Sequence, residues 1–163
     1  MLQSVAVPVG VGKTFMATAL GHIACRRRIS VHFERAEKLH KRLKAARLDA
    51  SHDAEMRQLI GVDLLIIDDF ALTTLGAAET ADIYELVVER HRSAATVLTS
   101  NRDPVEWLTI MADPLLAQSA LDRMKSAAWE LVIEGESYRS NEKPTLDGAP
   151  PEPRPPRQRR PRV

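Results

Sequence analysis

A glycine-rich segment near the start of the chain has the composition of a phosphate-binding loop. Residues 7–14 read VPVGVGKT and lie between a short apolar run and a helical run. Gly10 and Gly12 allow backbone N–H groups to close around phosphate oxygens, and the following helix directs its positive end toward them. Lys13 supplies a charge for the β- and γ-phosphates, and Thr14 supplies a hydroxyl for Mg²⁺. The alternative is a glycine turn that only joins a strand to a helix.

The first position of this loop departs from the expected pattern. A loop of the form G-x-x-x-x-G-K-[ST] has glycine where this chain has Val7. If this position needs a positive φ, the β-branched side chain adds strain on the order of 1–3 kcal/mol, which would weaken nucleotide binding. Val7 also ends the predicted strand, outside the part of the loop that wraps the phosphate. The predicted nucleotide-binding residues are those that follow it: Pro8, Val9, Gly10, Val11, Gly12, Lys13 and Thr14.

Two carboxylates end an apolar strand further along the chain. Residues 62–70 read VDLLIIDDF, so the apolar run stops at Asp68 and Asp69. In an open parallel sheet, ligands gather at the carboxyl ends of the strands, where the phosphate loop would also lie. We predict that Asp68 holds Mg²⁺, directly or through water, and that Asp69 orients or deprotonates the attacking water. Either residue taken alone could instead be a helix N-cap or a turn aspartate.

A third apolar run ends in an amide side chain. Residues 96–101 read TVLTSN, and Asn101 could reach a γ-phosphate or the water that attacks it. Asparagine is common in turns for unrelated reasons. The assignment of Asn101 to the site therefore depends on its order in the chain, after the loop and the acidic pair.

Short β-rich runs alternate with helical patterns along the part of the chain that must position these residues. The predicted strands are residues 2–7, 30–34, 63–68, 96–100 and 129–134. Residues 13–26 and 78–92 have apolar side chains at helical spacing between them. This alternation is typical of βαβ units, so we predict a three-layer α/β domain around a five-stranded parallel sheet.

Composition separates the chain into a folded part and a tail. Lys and Arg number 23 against 22 Asp and Glu, but residues 140–163 hold six of the basic residues and three of the acidic ones. Seven of the ten prolines also fall in the last twenty residues. We expect one domain over residues 1–139 and a disordered Pro/Arg-rich tail over residues 140–163. The tail could bind anions weakly or have no specific role.

The single cysteine and the absence of a long apolar run constrain the compartment. Cys25 cannot form an internal disulfide, and its position among apolar neighbours predicts a small buried residue. No segment of the sequence approaches the 18 or so apolar residues of a membrane span, and no signal peptide pattern follows Met1. We expect a cytoplasmic protein.

A basic helix is the candidate surface for nucleic acid. Residues 36–49 carry Lys38, Lys41, Arg42, Lys44 and Arg47 around an apolar seam, and residues 26–28 are three consecutive arginines. Such a surface could contact several phosphates without reading sequence, because no aromatic residues are interleaved for base stacking. The alternative is a solvated amphipathic helix.

Taken together, the order of these motifs resembles the IstB-like branch of the AAA+ ATPases, the ATP-binding helpers of insertion-sequence transposition. Residues 101–108 (NRDPVEWL), 115–123 (LLAQSALDR) and 133–139 (IEGESYR) resemble that family more specifically than the general ATPase motifs do. The likeness covers about residues 2–139. It implies an AAA+ sheet in which the phosphate-loop strand is central and the Asn101 strand separates it from the Asp68 strand.

The resemblance also implies roles, cofactors and partners. Lys13 and Thr14 match Walker A, Asp68 and Asp69 match Walker B, and Asn101 matches sensor 1. Arg123 matches the arginine finger that acts on a neighbouring subunit's ATP, although by spacing alone it could be a surface arginine. Arg139 could be a further phosphate contact. The implied ligands are ATP and Mg²⁺, and the implied partners are DNA, a transposase and further copies of the chain.

Three functional hypotheses follow. The first is an ATP-hydrolysing, DNA-associated oligomer that assists a transposase, and the second is a helicase-loader-type replication ATPase with nearly the same core motifs. The third is a nucleotide-binding module that does not hydrolyse ATP. Val7 favours the third hypothesis, as does the expected lack of the family's helical N-terminal region, because Met1 stands only a few residues before the loop. Lys13, Asp68, Asp69 and Asn101 oppose it.

Overall fold

The computed structural model describes residues 2–6 and 12–131 of the 163-residue chain. Strands alternate with helices over this part, close to the predicted positions. The strands are β1 (Leu2–Ala6), β2 (Val31–Arg35), β3 (Leu64–Phe70), β4 (Ala95–Ser100) and β5 (Ala128–Glu130). The helices are α1 (Lys13–Arg26), α2 (Ala36–Leu48), α3 (His52–Gly61), α4 (Ala77–Arg90), α5 (Trp107–Ile110) and α6 (Pro114–Ala127), with a 3₁₀ turn at Pro104–Glu106.

The strands form one parallel sheet in the order β2-β3-β4-β1-β5. β4 therefore separates β1 from β3, as the family resemblance implies, and β1 is an interior strand although β4 holds the middle position. β3 is apolar on both faces because both are covered: Leu65, Ile66 and Ile67 are all buried. This order brings the carboxyl ends of β3, β4 and β1 to neighbouring positions on one edge of the sheet.

Helices cover the two faces of the sheet unequally. Alternate residues of a strand point to opposite faces. Leu65 and Ile67 belong to the larger core, which α2, α3, α4 and α6 complete. Ile66 belongs to a smaller core beneath α1. At Gly21 the backbone of α1 approaches β3 so closely that a Cβ atom would lie 3.2 Å from Cδ1 of Ile66.

The exposed side of α1 overturns the prediction for Cys25. Its thiol is free and Cys25 is exposed, because the buried positions of α1 after Lys13 are Ala17, Gly21 and Ala24. An apolar sequence neighbourhood predicted burial, but the helix has only one packed face, and Cys25 lies outside it.

Acidic side chains fix the starts of two helices. Asp113 accepts hydrogen bonds from the backbone N–H groups of Leu115 (2.9 Å) and Leu116 (3.1 Å), ahead of α6. Glu79 accepts one from the N–H of Gly76 at 2.6 Å, at the start of α4. These contacts satisfy donors that have no partner within the helix.

Arg90, at the end of α4, ties α3 to the start of β4. Its guanidinium is buried, with the whole residue 1% exposed. It donates to three carbonyl groups at the end of α3, to the carbonyl of Ala95 and to the hydroxyl of Thr96. Burial lowers the pKa of Arg90 from its ordinary value, and the charge of Asp63 partly offsets this effect.

Three predictions concern parts of the chain that are not described. The boundary at Arg139 and the tail of residues 140–163 lie outside the described residues, as does the predicted extension of β5 beyond residue 131. Within residues 2–6 and 12–131, no helix has the length and apolar content needed to cross a membrane.

Candidate functional site

The start of α1 lies at the same edge of the sheet as the ends of β3 and β4. Gly12 precedes α1 with φ 95° and ψ 19°, a left-handed conformation that glycine adopts without strain. Lys13 is the first residue of the helix and is only 7% exposed. Val7 and four predicted nucleotide-binding residues lie outside the described residues: Pro8, Val9, Gly10 and Val11.

A hydroxyl–carboxylate pair joins α1 to β3. The Oγ1 atom of Thr14 lies 2.9 Å from Oδ2 and 3.2 Å from Oδ1 of Asp68, and Asp68 is 0% exposed. The two residues are 54 positions apart in the sequence. The structure thus brings the two predicted magnesium ligands into direct contact.

The two aspartates at the end of β3 do not continue the regular strand. Asp69 has φ 56°, in the left-handed region that non-glycine residues seldom adopt. Its N–H donates to Oγ1 of Thr99 at 3.0 Å, and the same hydroxyl donates to Oδ1 of Asp68. The sequence did not identify Thr99 as a site residue, because a threonine within a β-rich run is also what strand propensity favours.

The end of β4 is held by a second hydroxyl. Oγ of Ser100 donates to the carbonyl of Phe70 at 2.9 Å and accepts from the N–H of Arg102 at 3.1 Å. Between them, Asn101 has an Oδ1 atom that is buried and has no hydrogen-bond partner among the described residues. A buried amide oxygen without a partner is available to a ligand or a water molecule that the site would bind.

The donor set fits Mg²⁺ together with phosphate. Magnesium in phosphate-transfer sites is held by one or two carboxylates, with the rest of its ligands supplied by phosphate and water. The Thr14 hydroxyl and the Asp68 carboxylate are hard oxygen ligands of this kind. No group of three or more His, Cys, Asp or Glu side chains suited to holding a metal occurs within the described ranges.

The described contacts of Arg123 do not include the residues around Thr14 and Asp68. Its Nη1 donates to the carbonyl of Ser119 at 3.0 Å and to the hydroxyl of the same residue, both on α6. Its Cζ lies 5.9 Å from the centroid of the Tyr84 ring on α4. The structure therefore does not place Arg123 in the cluster around Thr14 and Asp68. Arg139 lies outside the described residues.

A cavity of about 290 Å³ is lined on one side by Asp69 and residues of the segment 71–75 and on the other by the junction of β2 with α2. Arg35, Glu37 and His40 line its other side. Burial lowers the pKa of His40, and the charges of Glu79 and Asp82 partly oppose that shift. The cavity carries both signs of charge and is therefore not a simple anion site.

The basic helix α2 is less available to an external anion than its composition predicts. Lys41 pairs with Glu37, Arg42 with Glu34 and Glu55, and Arg47 with Asp82. Lys38 and Lys44 are exposed and make no ion pair among the described residues. The three arginines at residues 26–28 begin at the last residue of α1, which lies on the opposite face of the sheet from α2.

Comparison with known sequences identifies related proteins. The sequence profile of the IstB-like ATP binding protein family matches residues 4–145. An ATP-binding protein of an insertion sequence from Mycobacterium tuberculosis is 36% identical over 138 residues, which cover 84% of this chain and 55% of the relative. An insertion-sequence ATP-binding protein from Sinorhizobium fredii is 37% identical over 136 residues, covering 83% and 56%. The chain spans about half the length of these relatives.

Solved structures with the same fold include the replication initiator DnaA and a helicase loader. The AMPPCP-bound DnaA from Aquifex aeolicus aligns with a TM-score of 0.71 and 20% identity, over 81% of this chain and 40% of that chain. The DnaC helicase loader aligns with a TM-score of 0.69 and 18% identity, over 82% and 78%. At these identities the likeness establishes a shared α/β fold of the P-loop type and nothing about function.

Proposed function

Because the chain belongs to the IstB-like ATP-binding protein family, we propose that it binds Mg-ATP at the carboxyl edge of its sheet and hydrolyses it as an AAA+ ATPase. The observation that carries this proposal is the contact between Thr14 and the buried carboxylate of Asp68, at the start of α1. Hydroxyl, carboxylate and helix N-terminus together are the groups that hold a magnesium-bound triphosphate.

The phosphates would lie against the N-terminus of α1. Lys13 and Thr14 begin that helix, and the partial positive charge of its free N–H groups favours an anion there. We propose that the loop residues contribute further backbone donors, with Lys13 supplying the full positive charge. The proposed nucleotide-binding set is unchanged from the sequence: Pro8, Val9, Gly10, Val11, Gly12, Lys13 and Thr14.

Hydrolysis requires groups that act on the attacking water. Bound Mg²⁺ would neutralise charge on the β- and γ-phosphates, and Thr14 and Asp68 would hold it. We assign to Asp69 the orientation or deprotonation of the water, since it adjoins Asp68 on the side toward the cavity. Asn101 would hold the same water or a γ-phosphate oxygen through its buried, unpartnered Oδ1 atom.

The wider role we propose is assistance to DNA transposition in the cytoplasm, together with a transposase. The relatives are named as ATP-binding proteins of insertion sequences, and this association supports the proposal. DNA contact would be independent of sequence and would use the exposed Lys38 and Lys44. Replacing both by glutamine should weaken duplex binding and reduce its salt dependence; an unchanged salt slope would exclude this surface. The helicase-loader alternative is supported by the shared fold alone.

Assembly would complete the site. Arg123 makes its described contacts on its own α6 and α4, which leaves a role toward a neighbouring subunit's ATP as the proposal to test. A mixture of Arg123→Ala and Asp69→Asn subunits should recover part of the hydrolysis that neither has alone. A mixture that stays inactive, beside an active and oligomeric wild type, would exclude a finger acting between subunits.

The direct test of nucleotide binding is a titration with fluorescent ATP in the presence of Mg²⁺. Lys13→Ala should weaken binding at least about tenfold, because a charge-assisted contact to phosphate contributes about 1.5–3 kcal/mol. Lys125→Ala, an exposed lysine near the end of α6, is the matched control and should bind like the wild type. Equal affinity in the two variants would reject the assigned site. ATP binding by the wild type without hydrolysis would favour the non-catalytic alternative.

A further inference from the structure

The ladder between β3 and β4 is irregular at the two aspartates. Ile67 pairs with Leu98 and Phe70 pairs with Ser100, so two residues of β3 stand opposite the single residue Thr99. This two-to-one arrangement is a β-bulge, a feature that bends a strand and redirects its side chains. The bulge therefore lies at the proposed catalytic pair itself.

A bulge leaves backbone groups without their usual ladder partners. Here the N–H of Asp69 is satisfied by Oγ1 of Thr99 at 3.0 Å, in place of a strand carbonyl. The hydroxyl of Thr99 in turn donates a hydrogen bond to Oδ1 of Asp68. One side chain thus fixes both aspartates, the first through its carboxylate and the second through its backbone.

Burial makes this arrangement specific. Thr99 is 1% exposed and Asp68 is 0% exposed, so no bulk water competes for these contacts. In a regular strand, the side chains of consecutive residues would point to opposite faces of the sheet. The left-handed φ of 56° at Asp69 breaks this alternation, and a residue in that region persists only where its surroundings hold it.

We propose that Thr99 is a positioning residue of the hydrolytic site, whose hydroxyl holds the bulge that orients Asp69 and the carboxylate of Asp68. The role rests on the proposed ATPase function and deepens it. Thr99 itself does not touch the substrate, so its loss should reduce turnover through the two aspartates and leave the loop contacts to phosphate in place.

Two substitutions separate the hydroxyl from the packing of the side chain. Thr99→Val keeps the shape and removes the hydroxyl, whereas Thr99→Ser keeps the hydroxyl. At saturating ATP and Mg²⁺, kcat should fall about 10- to 100-fold in Thr99→Val, as is typical when a residue that orients a metal ligand is lost. Thr99→Ser should stay within about threefold of the wild type. ATP affinity measured without Mg²⁺ should be unchanged in both.

Thr96→Val is the matched control for a buried hydroxyl on the same strand. Thr96 is 5% exposed, and its hydroxyl accepts from Nε of Arg90 at 2.9 Å, away from the aspartates. Its loss should lower the melting temperature with kcat unchanged. The proposal would be overturned if Thr99→Val had the kcat of the wild type. It would also be overturned if kcat fell equally in Thr99→Val and Thr96→Val. If Thr99→Val does not fold, Thr99→Cys takes its place, since a thiol is a weak donor and acceptor.

Hydrogen exchange at the Asp69 amide gives a readout that does not depend on ATP hydrolysis. That amide should be protected in the wild type and in Thr99→Ser, and should exchange at least about tenfold faster in Thr99→Val relative to neighbouring β3 amides. Equal protection in all three would overturn the positioning role, whatever the activity. A wild type that protects this amide but hydrolyses no ATP would instead reject the proposed function and retain the structural role of Thr99.

Discussion

Replacing Arg90 by Met should be among the most destabilising single changes in the fold. The guanidinium holds the end of α3 and the start of β4 through five hydrogen-bond acceptors. Methionine fills similar space but donates no hydrogen bond. The carbonyls of Leu59, Ile60 and Val62 would then lose the donor that caps the helix end, while the apolar packing around residue 90 would be largely retained.

The expected magnitude is a balance of two large effects. A hydrogen bond to a charged group contributes about 1.5–3 kcal/mol, so summing the bonds would greatly overstate the loss. Removing the charge also removes its desolvation cost, which amounts to several kcal/mol for a buried ion. The net cost should be about 3–5 kcal/mol, because each neutral acceptor left without a donor costs about 1–3 kcal/mol and the recovered desolvation of the guanidinium offsets part of that sum. For a chain of this size, that corresponds to roughly 6–20 °C in melting temperature.

Urea unfolding followed by circular dichroism measures this difference. Arg57→Met, an exposed arginine on α3, is the control and should lie within about 0.5 kcal/mol of the wild type. Arg90→Lys should recover only part of the loss, because an ammonium has three donors and no planar fork. If Arg90→Met unfolds within about 1 kcal/mol of the wild type, the five contacts do not support the fold as described.

Two further predictions concern pH and backbone strain. Burial lowers the pKa of His40 in the folded protein below its ordinary value of about 6.5. As pH falls through that ordinary value, His40 is therefore protonated in the unfolded chain but not in the folded one. Folding stability is lost from about pH 6.5 down to the folded-state pKa. His40→Leu should therefore show a shallower loss of urea midpoint between pH 7.5 and 5.5; an unchanged slope would exclude His40 as a cause. Gly12→Ala should cost about 1–2 kcal/mol through its φ of 95°, since no atom of the described residues lies within 4 Å of the added Cβ. Gly61→Ala, also in open space but in a helix, should be neutral or stabilising, and equal effects of the two in thermal melts would reject the strain argument.

The sequence was sufficient for the alternation of strands and helices because their periods differ and the strands are strongly apolar. The same pattern located the polar strand ends, since Asp68 follows four consecutive apolar residues. It also gave the positions of Gly12, Lys13 and Thr14 relative to α1. What these predictions share is dependence on local spacing, which a single sequence displays directly.

Contacts between distant residues could not be obtained in this way. From the sequence, Thr99 is an ordinary strand threonine, and only the strand register shows that it lies opposite the bulge. The sequence likewise places Arg90 on the polar side of an amphipathic helix, whereas in the structure it is buried. The basic residues of α2 were predicted to form either a phosphate surface or the solvated side of an amphipathic helix, but Arg42 and Arg47 bind carboxylates from other elements. In each case the deciding partner belongs to another strand or helix.

The measurement that tests the central claim most directly compares binding and hydrolysis of Mg-ATP in two aspartate variants. Asp69→Asn should keep ATP affinity within about threefold of the wild type and lose hydrolysis by about 10²–10⁴-fold, because a group acting on the attacking water contributes in the transition state. Asp68→Asn should instead lose the Mg²⁺-dependent part of binding. Asp53→Asn, on the exposed side of α3, should match the wild type in both. Equal loss of binding in the two site variants, or wild-type hydrolysis in either, would contradict the division of roles and the site itself.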